Sequence, residues 1–139
     1  MKPTIAVALF TLLTLGATVD TLAQEHELKA SIPFGFVVGN QVLPAGTYTI
    51  TSPSSGMVFI QSADLRFTAM TTTNHENRES DDRSKLVFNR YGDKYFLHQI
   101  LCPTSVAMNV DIPISKREKR ARSDEPSSNR GEVAQLDLK

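Results

Sequence analysis

The sequence predicts an all-β fold, a single antiparallel β-sandwich or small barrel with a short basic helix at its C-terminal end. Three observations predict it. Between Leu28 and Leu101 apolar side chains recur at every second position within short runs, the period of a half-buried strand. Turn-forming residues separate those runs at sandwich-like spacing: Gly39-Asn40, Pro44-Ala45-Gly46, Pro53 to Gly56 and Gly92-Asp93. After Pro113, Ser115 and Glu118 form a capping-box pattern that opens a lysine- and arginine-rich helix.

Ahead of the domain lies a segment of different character. Lys2 precedes the run Ile5 to Leu15, apolar except for Thr11 and Thr14, and Thr21 and Ala23 supply the small residues before a cut at Gln24. This is the plan of a secretory signal peptide over residues 1–23. As a helix the apolar run would span about 16 Å against a bilayer core of about 30 Å, too short for an anchor. Residues 24–122 then form the β domain with its helix, and 123–139 read as a disordered tail. Cys102 is the single cysteine. It lies too late for a lipoprotein signal and cannot form an internal disulfide, so it is expected buried at the end of an apolar run. Fifteen basic against fifteen acidic residues give no overall electrostatic case for nucleic acid. No later segment is apolar enough for stable membrane insertion after cleavage.

Each element follows from local pattern. Ile32, Phe34, Phe36 and Val38 alternate along one strand, with Pro33 restricting it to an edge or a start. Tyr48 and Ile50 alternate with Thr47, Thr49 and Thr51, a strand with a threonine face toward solvent that the 52–56 segment ends. Met57 to Gln61 and Arg66 to Thr72 are short strands, and Asn74 to Ser84, without an apolar side chain, is an exposed connection.

Lys85 to Leu101 is the clearest hairpin. Glycine at the first central position of Gly92-Asp93 fits a type II′ turn, which pairs Tyr91 with Lys94. Counting outward pairs Arg90 with Tyr95, Phe88 with Leu97, and Leu86 with Gln99. Leu86, Phe88, Tyr95, Leu97 and Leu101 then form the core side. The opposite face carries Val87, Tyr91, Phe96 and Ile100, so the hairpin belongs near a sheet centre or under a covering segment. Val106 to Ile112 is a last strand.

Chemical motifs are scarce. His26-Glu27 and His75-Glu76 begin like a zinc-protease helix, but positions 30 and 79 hold Ala30 and Glu79 rather than histidine. His98 and Cys102 share a strand face at about 13 Å, too far for a dyad, and His98 fits better as a cross-strand neighbour of Val87. Glu76, Glu79, Asp81 and Asp82 are interleaved with Arg78 and Arg83, a self-neutralising solvated loop rather than a calcium site. No nucleophile elbow, phosphate loop or Cys-x-x-Cys pair is present, and no cofactor or metal is implied.

The sharpest anomaly is the cluster Lys116, Arg117, Lys119, Arg120 and Arg122. At about 100° per residue these side chains spread around a helix, leaving no apolar face to enter a bilayer. Their aliphatic stems can lie on the sheet.

Two stretches carry a resemblance. Ile32 to Gly39 leading to Leu43-Pro44-Ala45-Gly46-Thr47-Tyr48, and then Leu86 to Leu97, resemble in order and spacing a family of small exported bacterial proteins of unknown function, found mainly in soil bacteria. In that family a Leu-Pro-x-Ser segment opens a charged helix; Ile112-Pro113-Ile114-Ser115 stands there in this chain. The tryptophan and glycines of the family's preceding connection are replaced by Cys102 to Asn109. The resemblance spans about residues 28–122 and implies no activity, cofactor or catalytic residue.

The expected function is accordingly that of an exported, non-enzymatic binding or structural module of the periplasm or cell surface, with a protein or polysaccharide partner and no nucleic acid. Its candidate contact residues are Tyr91, Asp93 and Tyr95 at the hairpin tip and Lys116, Arg117, Lys119, Arg120 and Arg122 on the helix. A small hydrolase or ligand-binding barrel, and a polyanion-binding protein using the basic helix, are the alternatives.

Overall fold

The computed structural model describes residues 27–75, 82–103, 105, 108–126 and 130–138. Residues 1–26, which include the segment read as a signal peptide, and residues 76–81, which include Glu76, Glu79 and Asp81, lie outside them. Described in chain order are β1 (Glu27–Ile32), β2 (Phe36–Val38), β3 (Gln41–Leu43), β4 (Gly46–Ser54), β5 (Met57–Ser62), β6 (Thr68–Thr72), β7 (Asn74–His75), β8 (Lys85–Tyr91), β9 (Lys94–Leu101), β10 (Val110–Asp111), α1 (Lys116–Asp124) and β11 (Arg130–Asp137). One sheet runs β1-β4-β5-β6; the other runs β11-β8-β9-β10-β7, with the β2–β3 hairpin joined to β9. The fold is all-β, as the sequence predicts.

The alternating residues of both sheets meet in one core. Ile32, Tyr48, Ile50 and Ile60 from the first sheet face Phe36, Leu86, Phe88 and Ile100 from the second, all essentially inaccessible to water. The run from Ile32 to Val38 is not one strand. It breaks at Pro33 to Gly35, where the chain steps from the first sheet to the second. Pro33 lacks the N–H a continuous ladder would need. The parity survives the step, so Ile32, Phe36 and Val38 are all buried, and Phe34 packs at the crossing. Gly39, at φ +59, then turns the tight β2–β3 hairpin.

The β8–β9 hairpin has the expected register from Tyr91↔Lys94 through Phe88↔Leu97. Gly92 has φ +64 and Asp93 does not share the positive φ, as a type II′ turn requires. Beyond Leu97 a bulge shifts the register, so Leu86 pairs with Ile100 rather than with Gln99, and Gln99 rather than His98 stands opposite Val87. One extra residue exchanges the faces of everything after it. Ile100 is therefore the core residue, and Leu101 is only half-buried. The His98 carbonyl accepts a 2.7 Å hydrogen bond from the Ile112 N–H.

The C-terminal segment corrects the expected tail. Arg130 to Asp137 is β11, an antiparallel partner along the whole of β8, and Ala134, Leu136 and Leu138 pack against the core. The domain therefore extends well past residue 122. Strand β10 is shorter than the expected Val106–Ile112 strand; residues 106 and 107 lie outside the described set. Cys102 is buried, as expected, and its N–H donates to Asn109 Oδ1 at 2.7 Å. No helix among the described residues is long and apolar enough to cross a membrane.

Candidate functional site

The outer face of the second sheet holds a row of side chains set by strand pairing. Val42 opposes Val37, Val37 opposes Phe96, and Phe96 opposes Asn89, which places these four residues side by side across β3, β2, β9 and β8. Helix α1 lies on this row. Ser115 caps it as the sequence predicts, its Oγ accepting from the Glu118 N–H at 3.1 Å.

Glu118 does not reach back to complete the capping box. The residue is 3% exposed. Glu118 Oε1 accepts from Asn89 Nδ2 at 2.9 Å and from the Tyr91 hydroxyl at 3.2 Å. Ala121, one turn on, joins Val37, Tyr91 and Phe96 in a small second core. Helix α1 thus docks through one carboxylate and one methyl group, spaced three residues apart on one face. Burial, reinforced by the Glu118 carboxylate, raises the Tyr91 hydroxyl pKa above its ordinary 10.0.

The helix covers Val37 and Phe96 but leaves Val42 56% exposed. Between α1, the β2–β3 hairpin and the start of β9 runs a groove of about 890 Å³. Lys116, Arg117 and Arg120 form its helical wall, with Asp124 at the far end, and Asp93 and Lys94 flank it from the hairpin tip. Arg117 Nη1 donates to the Asn40 carbonyl at 3.3 Å, which ties the helix to the β2–β3 turn.

The two expected contact surfaces therefore meet in one place. Of their residues, Asp93, Tyr95, Lys116, Arg117 and Arg120 line the groove. Lys119 and Arg122 are exposed but do not line it. Tyr91 is a correction: at 4% exposure it is a docking residue beneath the helix and no surface contact. The covering segment that its face requires is α1. Tyr95 packs too. Its ring stacks on Phe34 with centroids 4.0 Å apart and 20° between planes, and the Arg90 guanidinium lies over it at 5.4 Å. Tyr95 alternates with Phe96 along β9, so its ring packs on the core side of the sheet and is turned away from the outer-face row.

Residues suggestive of catalysis lie elsewhere. His98 does not line the groove, and His75 is an exposed side chain whose Nε2 is 3.3 Å from Ser55 Oγ. Asp64 titrates below its ordinary range because the Ser62 hydroxyl and then the Arg66 N–H donate to its carboxylate. That is turn chemistry in an exposed β5–β6 connection. The buried role of Glu118 and the row beneath α1 are the features that the sequence pattern did not reveal; the i, i+3 spacing of Glu118 and Ala121 in a helix rich in lysine and arginine was the available signal. Compared with known proteins, the chain matches no family model, no curated protein and no solved structure.

Proposed function

We propose that the chain is an exported, non-enzymatic binding module of the periplasm or cell surface, and that the groove between α1 and the β2–β3 hairpin is its contact surface. The observation that supports this reading is the convergence of basic helix and hairpin tip on one recess over an apolar floor. Recesses of this kind, with apolar lining and a few placed charges, are where ligands and partner chains lodge. The secretory character of residues 1–23 and the resemblance to small exported proteins support the location.

Two measurements test it. Fractionation of a C-terminally tagged chain should recover it outside the cytoplasm with Gln24 as its first residue; a cytoplasmic, uncleaved product overturns export. A photo-crosslinking side chain placed at Val42 should form adducts in the cell envelope that the same group at exposed Thr68, on the opposite sheet, does not form. Equal labelling from both sites overturns the groove as the contact surface.

The exposure of all five cations favours one second reading, a polyanion binder. Charge reversal separates the two. A polyanion binder loses heparin retention when Lys119 and Arg122 are reversed as much as when Lys116 and Arg120 are. A groove binder is sensitive only to the latter pair.

A further inference from the structure

We infer that the groove takes a single amphipathic anion, a carboxylate or phosphate headgroup on an alkyl chain, with the headgroup at the N-terminal half of α1 and the chain along Val42 and Gly35. The inference rests on the groove being the contact surface and adds the chemistry of its occupant.

Charge distribution selects the headgroup and its position. Lys116, Arg117 and Arg120 line the first half of the helical wall, where the helix dipole also favours negative charge. Among the described residues Lys116 and Arg120 have no ion-pair partner, and Arg117 spends one donor on a backbone carbonyl. Asp93 and Asp124 line the other end and outnumber its one cation, Lys94, so an anion is favoured at the Lys116, Arg117 and Arg120 end instead.

The floor selects the chain. Val42, Val37 and Phe96 form a continuous apolar row, and the helix leaves its Val42 end open. Gly35 lies beside that end with no side chain. Because Phe34 and Phe36 point to the core, a group at Gly35 would project to the groove side, and its Cβ would meet only the Leu43 carbonyl at an ordinary 3.6 Å. The glycine leaves floor space for a ligand that the fold itself does not need. A sugar ring fits less well, because the Tyr95 ring packs on Phe34 on the core side of the sheet and gives the groove no stacking face. At about 890 Å³ the recess is on the scale of small-molecule sites, about 300–1,000 Å³, and suits one chain rather than a bilayer surface.

The test is calorimetric titration of the purified protein with dodecyl phosphate below its micellar concentration. One molecule should bind per chain, with Kd in the micromolar range. Dodecyl maltoside, which keeps the tail, and inorganic phosphate, which keeps the charge, should each bind at least about tenfold more weakly. The pair K116E/R120E and the separate variant G35F should each weaken binding by about tenfold or more, with unchanged thermal unfolding confirming that they fold. Equal affinity for dodecyl maltoside, equal affinity for phosphate, or full binding by both variants overturns the inference. So does tighter binding to vesicles of phosphatidylglycerol and phosphatidylcholine that K119E/R122E abolishes as fully as K116E/R120E, because the helix would then be meeting a bilayer. Absence of amphiphile binding with envelope adducts still forming at Val42 would overturn the ligand class and leave the groove as the contact surface.

Discussion

Asn89 Nδ2 and Glu118 Oε1 lie 2.9 Å apart, joining the middle of β8 to the first turns of α1 across 29 positions of sequence. The same oxygen accepts from Tyr91, so one carboxylate, with the Ala121 methyl beside it, docks the helix where most helices use a wider apolar stripe. Two donors depend on it, the buried Tyr91 hydroxyl and the half-buried Asn89 amide.

Glu118→Ala should therefore destabilise the protein by about 2–3 kcal/mol, since it removes hydrogen bonds to a charged group and orphans the buried Tyr91 hydroxyl. Glu118→Gln, which keeps an acceptor, should cost less. Urea midpoints check both, and amide exchange in α1 should rise selectively in the alanine variant.

Alkaline stability should report the Tyr91 hydroxyl. Its folded pKa is raised first by burial and then by Glu118, so the neutral phenol is favoured by folding. That contribution is fully present below the unfolded value of 10.0 and is lost as pH rises from there through the higher folded value. Tyr91→Phe should flatten this alkaline loss without changing its sign, because Tyr48 is also raised, by burial and then by Asp64. Denaturation midpoints measured across that alkaline range decide it.

Gly92→Ala should lose stability for two separable reasons. The left-handed φ of +64 costs an alanine about 1–2 kcal/mol, and its Cβ would collide with the Glu125 carboxylate. Adding Glu125→Ala should relieve the collision and leave the backbone cost. A double-mutant cycle on urea midpoints, with Glu125→Ala alone as its fourth corner, separates them.

Truncation after Pro126 should be far more damaging than loss of a tail. It removes the partner of β8 and uncovers its edge, and it takes Ala134 and Leu136 from the core margin. Size-exclusion chromatography should show aggregation of the truncated chain. A monomer with an unchanged urea midpoint would contradict the pairing.

Parity was the legible part of the fold. Alternation alone places Ile32, Phe36, Tyr48, Ile50 and Phe88 inward, because a strand's period of two holds whichever sheet it joins. What alternation does not encode is where a strand changes sheets or gains a residue. The step at Pro33 to Gly35 keeps parity and so leaves no trace in the pattern. The bulge after Leu97 breaks parity, yet Gln99, Ile100 and Leu101 read equally well either way. Strand β11 was hidden by its composition: Ala134 and Leu136 sit among Glu132, Gln135 and Asp137, too little apolar surface to distinguish a strand from a tail. The groove was legible as parts only. Asp93, Tyr95 and the basic helix stand out locally, whereas their meeting over Val42 depends on contacts between segments more than fifty residues apart in sequence.

The placement of β11 also fixes when the domain can finish folding. Strand β8 pairs with β9 directly after it and with β11, whose partner residues lie some 40 positions further on, as in Arg90 with Glu132. The hairpin forms from local contacts, but one flank of β8 stays open until residue 137 is free to pair. Before β11 docks, the chain therefore passes through a state in which β8 is paired on one side only, and that edge stays exposed until β11 is in place. Substitutions in β11 should consequently lower the yield of folded protein as well as its stability.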